Sequence, residues 1–153
     1  MQKPTVETVG VPGTPTRLAT GRLRIGTEGR AFVEITAPVA EWLVAISART
    51  GLLTAFARHT SASLAIQENA DPDVRRDLLS ALEALAPEGR HWIHDAEGPD
   101  DMPAHVRSML TGASLSVPVV DGRMALGTWQ GLYLVEHRRR PHRREVIVSF
   151  VGD

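Results

Sequence analysis

The chain has 153 residues, 42% of them apolar and 23% charged, which suits one domain with a sizeable core. A formal net charge of -1 gives no bulk attraction to nucleic acid or to a membrane surface. The absence of cysteine removes disulfides, thiolate metal sites and a cysteine nucleophile, so a transition metal here must be held by His, Asp or Glu.

No apolar run approaches the ~18 residues of a membrane span, and no basic stretch followed by an apolar one opens the chain. A cytoplasmic protein is the expectation. Residues 1–16 are rich in Thr, Pro and Gly without periodicity and read as a loose tail, which leaves 17–153 as one domain.

Arg17 to Ile25 reads as a strand, followed by a turn at Gly26 to Gly29 and a second strand from Ala31 to Thr36. Pro38 opens a helix that runs to about Thr50 and stops at Gly51, with Val39, Leu43 and Ile46 on its buried face. Leu52 to Ala57 and Ser61 to Gln67 are two further strands. Asp71 then caps a second helix with Pro72 at its first position. Val74, Leu78, Leu82 and Leu85 form that helix's apolar stripe, Arg75, Arg76 and Glu83 its solvated side, and Pro87 ends it.

The stretch from Glu88 to Asp101 is polar and irregular, and a short third helix follows Pro103 and ends before Gly112. Ser114 to Val120 and Arg123 to Leu126 flank Asp121-Gly122, a favoured two-residue hairpin turn. Pro118 argues for an edge or a bulge in the first of these strands. Trp129 to His137 and Glu145 to Val151 complete the set. This order predicts an α+β domain: a mostly antiparallel sheet or sheets, with two main helices and one short helix on one side. Such a sheet must hide its edges, and self-association is one way to do so.

Polar side chains concentrate in two stretches, HTSASLAIQENADPD from His59 and HWIHDAEGPDDMPAH from His91. His59, His94 and His105 can supply three nitrogen ligands, and a reactive metal site leaves a further position open. Asp95, Asp100 or Asp101 can add a ligand or orient an imidazole. The spacing matches no strict zinc motif, and His91 reads as a surface residue beside Trp92.

Glu68 and Asn69 end an apolar strand where side chains point into clefts, whereas Asp71 is explained by capping. Thr60, Ser61 and Ser63 can donate to a phosphate, but no nucleophile elbow surrounds any of these serines. Gly112 to Ser114 can present backbone N–H groups to an anion, although a helix end followed by a strand explains them equally. In Gly127-Thr128-Trp129-Gln130-Gly131, Trp129 can stack on a ring and Gln130 can read its edge, or Trp129 can be a core residue beside a bulge. Arg138, Arg139, Arg140, Arg143 and Arg144 lack interleaved aromatics and read as a solvated hairpin turn, not a nucleic-acid surface. One or two of them can reach a phosphate in a neighbouring site.

Three stretches together, HTSASLAIQENADPDVRRDL, HDAEGPDDMPAHVRSMLTGASLSVPVVDGR and LGTWQGLYLVEH, resemble the YjbQ-type family, also described as secondary thiamine-phosphate synthases. The resemblance runs from about Arg17 to Val151. It implies a homotrimer of α+β subunits with a polar pocket near a subunit boundary. It implies that His59, Glu68, His94, Asp95 and His105 carry the chemistry, and that Asn69, Gly112, Ser114 and Gln130 line the pocket. To these binding residues the reading above adds Thr60, Ser61 and Trp129.

The implied reaction joins a pyrimidine-methyl diphosphate to a thiazole phosphate and releases diphosphate. The expected cofactor is a divalent metal, zinc or magnesium, on His59, His94 and His105, with no organic cofactor. Met102-Pro103 departs from the small or amide residue that many relatives carry before the Ala-His pair. Dedicated synthases for this reaction are TIM barrels, and this chain is too short for one. Two other readings therefore stand beside the transferase: a metal-dependent hydrolase or lyase of another phosphorylated metabolite, and a non-catalytic trimer that binds a phosphate ligand.

Overall fold

The computed structural model describes residues 16–153, so the expected tail lies outside the described residues but for Thr16. Eight strands and three helices follow in the order read from the sequence: β1 (Arg17–Thr27), β2 (Ala31–Glu34), α1 (Thr36–Ala45), β3 (Gly51–Ala57), β4 (Ala62–Glu68), α2 (Pro72–Leu85), α3 (Asp101–Thr111), β5 (Ser114–Val120), β6 (Arg123–Met124), β7 (Gln130–Glu136) and β8 (His142–Gly152). They form two antiparallel sheets, one ordered β1-β8-β3-β5-β6 and the other β2-β7-β4. Among the described residues no helix is long and apolar enough to cross a membrane.

Strand alternation explains the core. Val146, Val148 and Phe150 of β8, Leu53 and Ala55 of β3 and Val117 and Val119 of β5 point one way, as period-two patterning requires. They meet Leu64 of β4, Leu132 and Leu134 of β7, and Val39 and Leu43 of α1. β7 is covered on both faces, and all its residues after Gln130 are buried. Its Tyr133 turns to α2, where the Arg75 guanidinium lies 5.7 Å from the ring centroid and donates to the phenol oxygen. Arg75 is therefore half-buried packing, a correction to its place on a solvated face.

Two boundaries differ instructively from expectation. Helix α1 stops at Ala45, five residues short, because Ser47 adopts a left-handed conformation with φ 54°. The Ser47 N–H then bonds the Val44 carbonyl and the Ala48 N–H bonds the Leu43 carbonyl, the paired closure of a Schellman end. Helix α3 starts at Asp101, before Pro103, which puts the proline in its first turn, where no N–H is needed. The Asp71 cap is as expected, its Oδ1 accepting the Asp73 N–H at 2.8 Å. Asp121 and Gly122 both have positive φ, 50° and 76°, as the predicted hairpin turn demands. Of the α2 stripe only Leu82 is buried, while Leu85 stays 67% exposed.

The arginine-rich turn between β7 and β8 is not uniformly solvated. Arg144 is buried and grips the buried Glu136 through both carboxylate oxygens, at 2.6 and 2.7 Å. Thr27 of β1 donates to the same carboxylate at 2.7 Å. Burial opposes ionisation of Glu136, but the hydrogen bonds from Arg144, the Arg138 N–H and Thr27 outweigh it and hold its pKa below the carboxylate range. This pair ties the turn to β1.

Candidate metal centre

Helix α3 and the loop before it converge on one carboxylate. Asp101 is 2% exposed, in the first turn of α3. His105 stands four residues on, so the helical repeat puts both side chains on one face. His94 reaches in from the loop. The Nε2 atoms of His94 and His105 lie 2.7 and 3.1 Å from the same oxygen, Asp101 Oδ2, and the rings meet edge to face with centroids 5.5 Å apart. Among the described residues this is the one set of three such groups whose ligand atoms lie within 4.8 Å of one another.

The surroundings fix the protons. His105 Nδ1 faces the Thr60 carbonyl at 3.0 Å, and a carbonyl only accepts, so Nδ1 carries a hydrogen. Nε2 then faces Asp101 either as a second N–H, making the ring an imidazolium, or as a lone pair that shares a cation with the carboxylate. Asp101 Oδ1 accepts from Arg138, which also donates to Asp100 Oδ2 at 3.1 Å and to the Glu97 carbonyl at 2.9 Å. Burial works against the Asp101 charge, but His94, Arg138 and His105 together hold its pKa below the usual range. Asp100 is held low in the same way by the Arg139 N–H and Arg138, against burial. Arg138 thus pairs with two carboxylates, and its side chain is only 13% exposed, not solvated.

The donor set suits a divalent ion of zinc type. Two imidazoles and a carboxylate are its usual ligands, and bonds of ~2.1 Å set tetrahedral donors ~3.4 Å apart. The present separations of 2.7 and 3.1 Å require the donors to spread by roughly 0.7 and 0.3 Å. The site is partly open, with His94 and His105 side chains 43% and 33% exposed.

The other expected residues lie elsewhere in the chain. His59 does not join the cluster: its Nε2 accepts the Glu145 N–H at 2.7 Å, which spends that lone pair. Burial, then the Arg144 charge, lowers its pKa. With Arg58, Thr60, Ser61, Ala113 and Arg144 it lines a separate hollow of about 530 Å³. Ser61 Oγ is taken by Arg144 at 3.1 Å, and Ser63 is fully buried against His137 at 2.8 Å, closed to any phosphate.

Glu68 ends β4 and Asn69 follows it, and the strand's seven residues carry them ~20 Å from its beginning near Thr60. There Asn69 bonds the main chain of Trp129 and Gln130, and Gln130 Oε1 accepts the Gly127 N–H at 2.8 Å. Trp129 is 64% exposed, not a core residue. Gly112 takes φ 95° at the end of α3, Ser114 begins β5 on the exposed side, and Asp95 is an exposed loop residue whose carbonyl accepts the Gly98 N–H.

Asp101, which the sequence offered beside Asp95 and Asp100 as a ligand or an orienting group, is the carboxylate that both imidazoles face. Its spacing of four from His105 was the available signal, masked by placing the helix start after Pro103.

The description UPF0047 protein YjbQ-like matches residues 21–153. A UPF0047 protein of Synechocystis sp. is 52% identical over 132 residues, covering 86% of this chain and 90% of the relative. The UPF0047 protein YjbQ of Salmonella typhimurium is 40% identical, over 86% of this chain and 96% of its own. A solved structure, a conserved hypothetical protein from Thermus thermophilus, superposes with TM-score 0.74 at 41% identity, covering 84% of this chain and 97% of that one.

Proposed function

The chain belongs to the YjbQ-like UPF0047 family, and from that premise we propose that it is a divalent-metal-dependent enzyme acting on a phosphorylated small molecule. The observation that carries the reading is the single buried oxygen of Asp101 faced by two imidazole nitrogens. Such a geometry is costly for stability alone and useful for holding a cation. His94, Asp101 and His105 would hold the ion. Arg138 keeps Asp101 charged and aimed, and the Thr60 carbonyl fixes the tautomer that points the His105 Nε2 lone pair at the ion. A bound ion supplies positive charge to a phosphate oxygen on which negative charge grows as a bond to it breaks.

The first reaction to assay is the one the family resemblance implies, coupling of a pyrimidine-methyl diphosphate with a thiazole phosphate. Water in place of the thiazole would make the same site a hydrolase, and the products tell the two apart. Purified protein given both precursors and Zn²⁺, Mn²⁺ or Mg²⁺ should form thiamine phosphate or release diphosphate. Chelation and Asp101→Asn should each abolish turnover. Full turnover after chelation and in Asp101→Asn would overturn the metal reading.

The homotrimer implied by the resemblance belongs to the same proposal. Leu18, Val151 and Leu52 stand in register across β1, β8 and β3 and are 69%, 46% and 46% exposed. An apolar row of this kind on a sheet face favours a second copy of the surface. Light scattering should give three times the mass of one chain, and Leu52→Asp should lower it.

A further inference from the structure

The loop that delivers His94 also builds a basic cleft that the metal centre does not account for. It holds about 540 Å³ and is lined by Arg90, His91, Trp92, Ile93, His94 and Met102. The lining has one guanidinium and two imidazoles and no carboxylate, so it favours an anion. His94 belongs both to this wall and to the cation cluster, which places the two sites side by side.

Arg90 is held ready. Its guanidinium lies over the Trp92 ring, 4.7 Å from the centroid. Trp92 is half-buried and donates its indole N–H to the Pro87 carbonyl at 3.2 Å, which pins the platform to the segment after α2. Stacking occupies a guanidinium face and leaves the in-plane N–H fork free, the part that fits phosphate oxygens. Arg30 and Arg139 close on Glu83 and Glu88, whereas Arg90 meets no carboxylate among the described residues. Within this lining Ile93 is 98% exposed, an apolar side chain left to solvent.

We propose that this cleft is the phosphate subsite of the enzyme: the Arg90 fork, stacked on Trp92, grips a phosphate group that also touches the cation held by His94, Asp101 and His105, and Ile93 covers the ligand's apolar portion. The inference rests on the metal-centre reading and names the ligand class, a diphosphate or organic phosphate able to span cation and guanidinium. Trp92 is a positioning residue.

The test is calorimetric titration of the full chain with Mn²⁺ alone, then of the Mn²⁺-loaded protein with inorganic pyrophosphate. Arg90→Ala should weaken pyrophosphate binding by about 10- to 100-fold with Mn²⁺ affinity unchanged. Arg90→Lys should recover only a fraction, because an ammonium has no fork. Trp92→Phe, which keeps a ring face, should stay within about threefold of wild type, and Trp92→Ala should lose about tenfold.

Wild-type pyrophosphate affinity in Mn²⁺-loaded Arg90→Ala would overturn the subsite and leave the metal centre standing. Loss of Mn²⁺ binding in Arg90→Ala would also overturn it, by making the residue structural. Failure of the wild type to bind either Mn²⁺ or Zn²⁺ would remove the metal centre and the subsite together.

Discussion

At the residue scale the centre turns on Asp101. On the proposed reading, this carboxylate, 2% exposed and ringed by two imidazoles and Arg138, is the anionic ligand of the ion. Replacing it with Asn keeps the shape and removes the charge, so Zn²⁺ affinity should fall by about 100-fold or more, measured by competition with a chromophoric chelator. Arg138→Ala acts one step removed and should cost about tenfold in the same assay. His59→Ala should leave Zn²⁺ affinity unchanged, since its Nε2 already accepts the Glu145 N–H. A large loss in that variant would return His59 to the ligand set expected from the sequence.

At the scale of elements, two helix ends decide where these residues stand. α2 ends against Arg107 of α3, whose buried guanidinium donates to the Leu82 and Ala86 carbonyls at 3.2 and 2.7 Å. The Leu82 carbonyl also accepts the Ala86 N–H, whereas the bond to the Ala86 carbonyl satisfies a group that the helix end otherwise leaves open. Arg107→Met keeps the apolar stem and leaves the buried Ala86 carbonyl without its guanidinium partner, so it should destabilise by about 2 kcal/mol in urea denaturation. The α1 end holds a different reserve. Ser47 is an L-residue in a left-handed conformation, and Ser47→Gly should stabilise by about 1 kcal/mol in the same measurement.

The two ends also explain what could be read in advance. The Asp71 cap with Pro72 and the Asp121-Gly122 turn were legible because each is set by local sterics and a bond within a few residues. The early stop of α1 was not, because serine in place of glycine gives no sign of a left-handed turn. The start of α3 at Asp101 was missed because proline is compatible with several first-turn positions.

At the scale of the whole molecule, acid stability has a specific source. Burial, then the Arg107 charge, pushes the His137 pKa down to about 4. An unfolded imidazole takes its proton near pH ~6.5, so between these values the unfolded chain binds more protons than the folded one. The contribution of the neutral ring is complete above pH ~6.5 and is lost as pH falls toward 4, by up to about 3 kcal/mol. Urea midpoints at pH 7, 6 and 5 should fall accordingly, and His137→Asn should flatten the slope.

The alternation of apolar residues settled the strands, the helical spacing and caps settled the helices, and their succession settled the α+β class, all from the sequence. These are properties of near neighbours in the chain, so they survive without knowledge of the fold. The division of eight strands into two sheets, the burial of Arg144, the pairing of Arg138 with Asp100 and Asp101, and the meeting of His94 and His105 on Asp101 were decided only in three dimensions. Each depends on contacts between segments tens of residues apart, and the extended length of β4 is what keeps Glu68 and Asn69 away from that centre within one chain.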